Sequence, residues 1–257
     1  MMPAITATLR KRYNTLAIPY GNFVDPKNPS KGWEASEAQQ RYLTNYMGLR
    51  NRLSLLLENY SYADFATRVR GNVHFLQATI DFLAANRDRV AALLTNADRA
   101  TIERGRSAAP EDSVALDFEL RPLGRSITIE GYLPDSTAKT PWEEKPDPAR
   151  PHATYTVPLI YAHVSTRSVR RPFAYCIPLP DPAIAGKLRE HGLLVERLTA
   201  PDTLEVEKFL VREVKGAAAP YQGHYCTTIV GELVEGRTGF PAGSLGVTTA
   251  QPLGNVA

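Results

Sequence analysis

Residues 44–65 read TNYMGLRNRLSLLLENYSYADF. Within them Leu53-Ser-Leu-Leu-Leu57 is a short apolar run of the kind buried on both faces of a sheet, and it ends in the carboxylate of Glu58 rather than in a turn residue. Two readings of Glu58 stay open at this level. Either it marks the point where the strand surfaces, or it is a general acid or base at a strand end, where the rigid element fixes the side chain and the adjoining loop opens the site.

Just downstream, Ser61-Tyr-Ala-Asp64 has the form of a capping box. Phe65, Val69, Val73, Leu76, Ile80 and Leu83 follow at spacings of four and three, which predicts an amphipathic helix. Residues 86–88 interrupt it, and a second helix carries Val90, Leu93, Leu94 and Ile102 until Gly105 ends it. Upstream, residues 13–40 are polar and turn-rich and read as a long surface loop.

The texture changes near GRSAAPEDS, residues 105–113. VALDFEL and SITIEGYL then alternate apolar and polar residues around Pro122-Leu-Gly124, a hairpin signal. Residues 134–153 hold five prolines without apolar periodicity and read as a protruding loop. Further strands are expected over 154–159, 173–177, 203–214 and 224–233, with one helix over 183–191 stopped by Gly192. The chain therefore divides near residue 108 into a helical part, 1–108, and a β-rich part, 109–257.

Composition excludes several function classes. The net charge of +3 is small and the arginines alternate with acids, so no nucleic-acid partner is indicated. No apolar run approaches the ~20 residues of a membrane span, and MMPAITATLRKRY places its basic residues after a weak apolar start, the reverse of a secretory signal. Cys176 and Cys226 are too few for a disulfide framework. Phosphate-cradling glycine loops, nucleophile elbows and nucleotide fingerprints do not occur.

The residues GNF, GW and RYLTNYMGLRNRLSLLLENYSYADFATRV resemble a bacterial branch of the zinc carboxypeptidases of the carboxypeptidase A superfamily. The later RRPFAYCIP, LREHGLLVERL and FPAGSLGVTTAQPLGN resemble the β-rich module that follows the catalytic domain in that branch. The resemblance implies an α/β fragment of a carboxypeptidase catalytic domain over 1–108, a β-rich (α+β) accessory domain over 109–257, and a peptide substrate cleaved at its C-terminal residue. It implies that Glu58 is the general base that activates a zinc-bound water and passes the proton to the leaving amine.

The family's zinc ligands, a His-x-x-Glu pair and a later His, lie upstream of the Glu-bearing strand, whereas the first histidine here is His74. The expectation is the C-terminal portion of such a peptidase, holding no catalytic zinc by itself, with unpaired strand edges that favour self-association. A non-catalytic binding protein built on the β-rich module is the alternative.

Other candidates are weaker. Tyr42, Tyr46, Tyr60 and Tyr62 flank Glu58, and a tyrosine there, Tyr46 first, either packs or donates to a substrate carbonyl or carboxylate. Asn51-Arg52 imitates in letters the family's carboxylate-gripping pair but sits just before the strand, and so reads as structural. His224-Tyr-Cys226 would put an imidazole and a thiol on one face of a strand, but two ligands do not make a site. His191, beside Gly192, reads as a helix C-terminal cap. Trp33 and Trp142 fall in loops.

Overall fold

In the computed structural model, residues 1–61, 63–107, 111–133, 149–178 and 182–257 are described. Most of the protruding loop expected over 134–153, with Trp142, lies outside them, as does Tyr62. Helix and strand are both well represented, at 31% and 36%, so the mixed character stands.

The chain opens with a helix absent from the sequence expectations, α1 (Met2–Tyr13). Pro3 sits in its first turn, where no backbone N–H is needed, and Arg10, Lys11 and Arg12 occupy the last turn, where cations favour the helix dipole. Asn14 stops it in the left-handed region at φ 49°. Ile5 and Leu9, one turn apart, are fully buried and form a core cluster with Phe75 and Ala78 of α3 (Phe65–Ala85). Arg12 ties the same two helices at the surface through Asp81, 2.8 Å away.

α3 begins one turn later than the capping box suggests. Its cap is Asp64, not Ser61: the Asp64 carboxylate accepts from the Thr67 N–H at 2.9 Å, and the Thr67 hydroxyl donates to its other oxygen. These bonds, the hydroxyl first, hold the Asp64 carboxyl below its ordinary value. α4 (Arg87–Arg106) follows directly, and the Asn86 amide at the junction donates to the Phe82 carbonyl.

The strands among the described residues form three sheets. β1 (Asn22–Phe23) and β2 (Trp33–Glu34) lie inside the expected 13–40 loop and extend a sheet of order β1-β2-β4-β3, where β3 is Ser113–Tyr132 and β4 is His152–Arg170. β5 (Ala174–Ile177), β9 (Leu245–Thr248) and β6 (Glu196–Arg197) form a second sheet, with β9 in the middle. α5 (Pro182–Glu190) lies between β5 and β6 in the chain. β7 (Asp202–Gly216) and β8 (Thr227–Phe240) form a two-stranded sheet, pairing only with each other among the described residues.

Two strand expectations need correction. Pro122-Leu-Gly124 does not close a hairpin; β3 continues through it as an irregularity, Pro122 opposing Ile160 and Ser126 opposing Pro158, so the extra residues bulge out. The 53–57 run joins no ladder. Residues 53–59 belong to neither helix nor strand, and their backbone makes no hydrogen bond with any described residue. Nor is the run buried on both faces: Leu55 and Leu57 pack on the α1–α3 cluster, while Leu53 and Leu56 are exposed.

The two parts of the chain are stitched together across residue 108. β2 runs parallel to β4, Trp33 opposing Leu159. The C-terminal tail also returns to α4: at Gly105 a Cβ would lie 2.4 Å from the backbone of Thr249 and Ala250, so only glycine permits that approach.

Candidate functional site

Glu58 stands near the end of the unpaired segment, exposed, and makes no hydrogen bond or ion pair with any described residue. The next residue fixes the segment's position. Asn59 donates through Nδ2 to the Asn72 side chain at 2.5 Å, and its Oδ1 would be 2.8 Å from a Cβ at Gly71, so the segment lies against α3. Placement of the carboxylate therefore depends on Leu55 and Leu57 gripping the core and on this contact.

Tyr46 lies elsewhere. It sits on the short helix α2 (Leu43–Leu49), where its hydroxyl is 2.6 Å from His191 Nδ1 and accepts from Arg50 Nη1 at 3.0 Å. Arg50 Nη1 also donates to the His191 carbonyl at 2.6 Å, and the Tyr46 and His191 rings meet edge to face. Tyr46, Arg50 and His191 thus clamp α2 to the end of α5. The hydroxyl is occupied in this clamp and no contact joins it to Glu58. His191 directly follows the last residue of α5, at the expected helix end, with its Nδ1 against the Tyr46 hydroxyl.

Asn51 and Arg52 have structural partners. Asn51 holds a left-handed φ of 56°, and its amide donates to Asp98, Thr101 and the Pro252 carbonyl at 2.9–3.2 Å. Arg52 forks onto both Asp98 oxygens at 2.9 and 3.1 Å. The Arg52 hydrogen bonds, opposed by burial and helped by Asn51, hold the Asp98 carboxyl below its ordinary value.

This network continues into the β-rich part. Asn255 donates to Thr101 and Asn51 and accepts from Arg171, whose Nε donates to Asp112 at 2.8 Å. Arg171 and Asp112 are both largely buried. The pair is separated by 59 positions in the chain, so no local pattern could have revealed it. The one available signal is that RRPF places a basic residue at a strand end, too common to single out.

Zinc requires three converging protein ligands around an open position. Among the described residues no group of three or more His, Cys, Asp or Glu side chains is placed to hold a metal, so the described residues do not by themselves assemble a catalytic zinc site. Each histidine has other company. His74 stacks on Tyr13 and bonds Thr15, His152 meets Tyr132, and His163 bonds the Ser36 carbonyl. His224 lies in the turn before β8, bridged to Tyr221, so it and Cys226 do not share a strand face as expected. Burial raises the Cys176 thiol's pKa, which makes it less reactive.

No protein-family model, curated protein or solved structure matches this chain.

Proposed function

We propose that this chain is the C-terminal portion of a zinc-dependent carboxypeptidase, and that it supplies Glu58 as the carboxylate that moves protons while a peptide loses its C-terminal residue. The observation that carries the reading is the motif N-Y-x-G-L-R-N-R, an apolar run, then E-x-Y-S-Y, with Glu58 exposed and without a partner among the described residues at the end of that run. A carboxylate in that position can take a proton from an attacking water and hand it to the leaving nitrogen, help worth roughly two to four powers of ten. Residues 1–108 then belong to an α/β catalytic domain and residues 109–257 to a β-rich accessory domain. The metal ligands lie on a polypeptide segment outside this sequence, and the naked backbone of residues 53–59 is a place for such a segment to pair.

A second reading, a non-catalytic interaction protein, is favoured by the β7–β8 hairpin. Phe209, Val211, Val214, Ile229 and Leu233 lie exposed together on one of its faces. Peptide mapping of the native protein from its source cells separates the two. The carboxypeptidase reading expects the polypeptide that contains residues 44–65 to contain a His-x-x-Glu pair upstream of them. A native polypeptide without that pair, and without peptidase activity in its purified complexes, would favour the interaction protein.

A further inference from the structure

α3 is apolar on two sides. Phe75 and Ala78 face α1 and are buried, with Phe82 packed beside them. Phe65, Val69, Val73, Leu76, Ile80 and Leu83 are all exposed, from 36% at Leu83 to 74% at Phe65. At 3.6 residues per turn these six fall within an arc of about 80°, turned well away from Phe75 and Ala78. A helix normally buries its one apolar stripe; here the longer stripe is the open one.

From Val69 onward the spacing is four, three, four, three, the alternation that lets a helix seat against another helix along a continuous seam. β-branched Val73 and Ile80 take one seam position, while Val69, Leu76 and Leu83 take the other, a distribution that favours two-stranded association. The flanking positions are Phe65, Asn72 and Thr79 on one side and Arg70, Gln77 and Ala84 on the other. Arg70 is the one charge among them, so nothing in the flanks repels an identical helix and no run of charge selects an oppositely charged one.

The area fits as well. An apolar side chain of this size exposes on the order of 100 Å² when half open, so the stripe offers roughly 600 Å² per copy, close to the ~800 Å² per partner of an ordinary specific interface. It is also at the top of the range found on monomers, roughly 300–600 Å².

We propose that a second copy of this chain covers this face, α3 packing on α3 about a two-fold axis to give an isologous dimer. The proposal does not depend on the peptidase reading. In the dimer the leucine and isoleucine side chains of the seam interdigitate, while Asn72, already held by Asn59, borders it.

Sedimentation velocity of the 257-residue chain over a concentration series from one to one hundred micromolar tests it, beside Leu76→Glu with Ile80→Glu and, as a milder pair, Leu76→Ser with Ile80→Ser. The wild type should sediment as two chains in the upper part of the series, and the Glu pair should be monomeric throughout. The Ser pair should need at least ten-fold more protein to dimerise. Both pairs should keep the wild-type far-ultraviolet circular dichroism, since the changed side chains face solvent in the monomer. A wild type that is monomeric at one hundred micromolar would overturn the proposal, as would open-ended aggregation. A dimer indifferent to the seam variants but broken by Val211→Glu with Ile229→Glu would overturn it too, by moving the interface to the β7–β8 hairpin.

Discussion

Arg171 and Asp112 carry more of this structure than their place in the sequence suggests. Removing one member of a buried ion pair strands the other, which costs about 3–5 kcal/mol. Asp112→Ala should therefore lower the denaturant midpoint far more than Asp117→Ala, whose partner Arg167 is exposed and whose pairing is worth about 0–1 kcal/mol. Asp98 gives a pH signature. Its folded pKa lies below the ordinary 3.8, so its stabilisation is fully present above that value and is lost as pH falls through the lower folded value. Chemical denaturation across the acid range should show a shallower loss of stability below pH 4 for Asp98→Asn than for the wild type, because that variant has no such proton to bind.

At the scale of elements, Gly105 tests how α4 is seated. A Cβ there meets backbone rather than a flexible side-chain end, so the tail from Thr249 to Ala250 must move. Gly105→Ala should destabilise by about 1–3 kcal/mol although alanine is the better helix former, and differential scanning calorimetry should record a lower Tm. The two long helices were legible because their apolar period is clear. Which face of α3 meets the core was not, since the strong stripe from Phe65 to Leu83 is open and the buried contact falls to Phe75 and Ala78. α1 hid because its buried side consists of little more than Ile5 and Leu9 among threonines and basic residues. Pro122-Leu-Gly124 has turn chemistry, but β4 supplies an opposing strand long enough to carry β3 past it as a bulge. Leu53–Leu57 had the composition of a central strand; pairing is non-local, and no described strand lies where it could supply the hydrogen bonds. For the same reason the Tyr46–Arg50–His191 clamp, which joins residues 145 positions apart, could not be read from either end.

For the whole molecule, the helices, the β-rich sheets and the C-terminal tail are locked together through Asn51, Thr101, Asn255 and Arg171, which fixes the segment ending in Glu58 on a stable body. With no converging ligand set among the described residues, the purified 257-residue chain should retain well under one zinc per molecule by inductively coupled plasma mass spectrometry, and should release no C-terminal amino acids from model peptides. The proposal that Glu58 moves protons in a peptidase is tested most directly by Glu58→Gln in the full native polypeptide that contains residues 44–65, assayed for release of C-terminal amino acids. A group that acts in the transition state affects turnover and not the resting structure. The variant should lose roughly two to four powers of ten in kcat, with zinc content and Tm nearly unchanged. A Glu58→Gln enzyme that keeps most of the wild-type turnover would contradict the account.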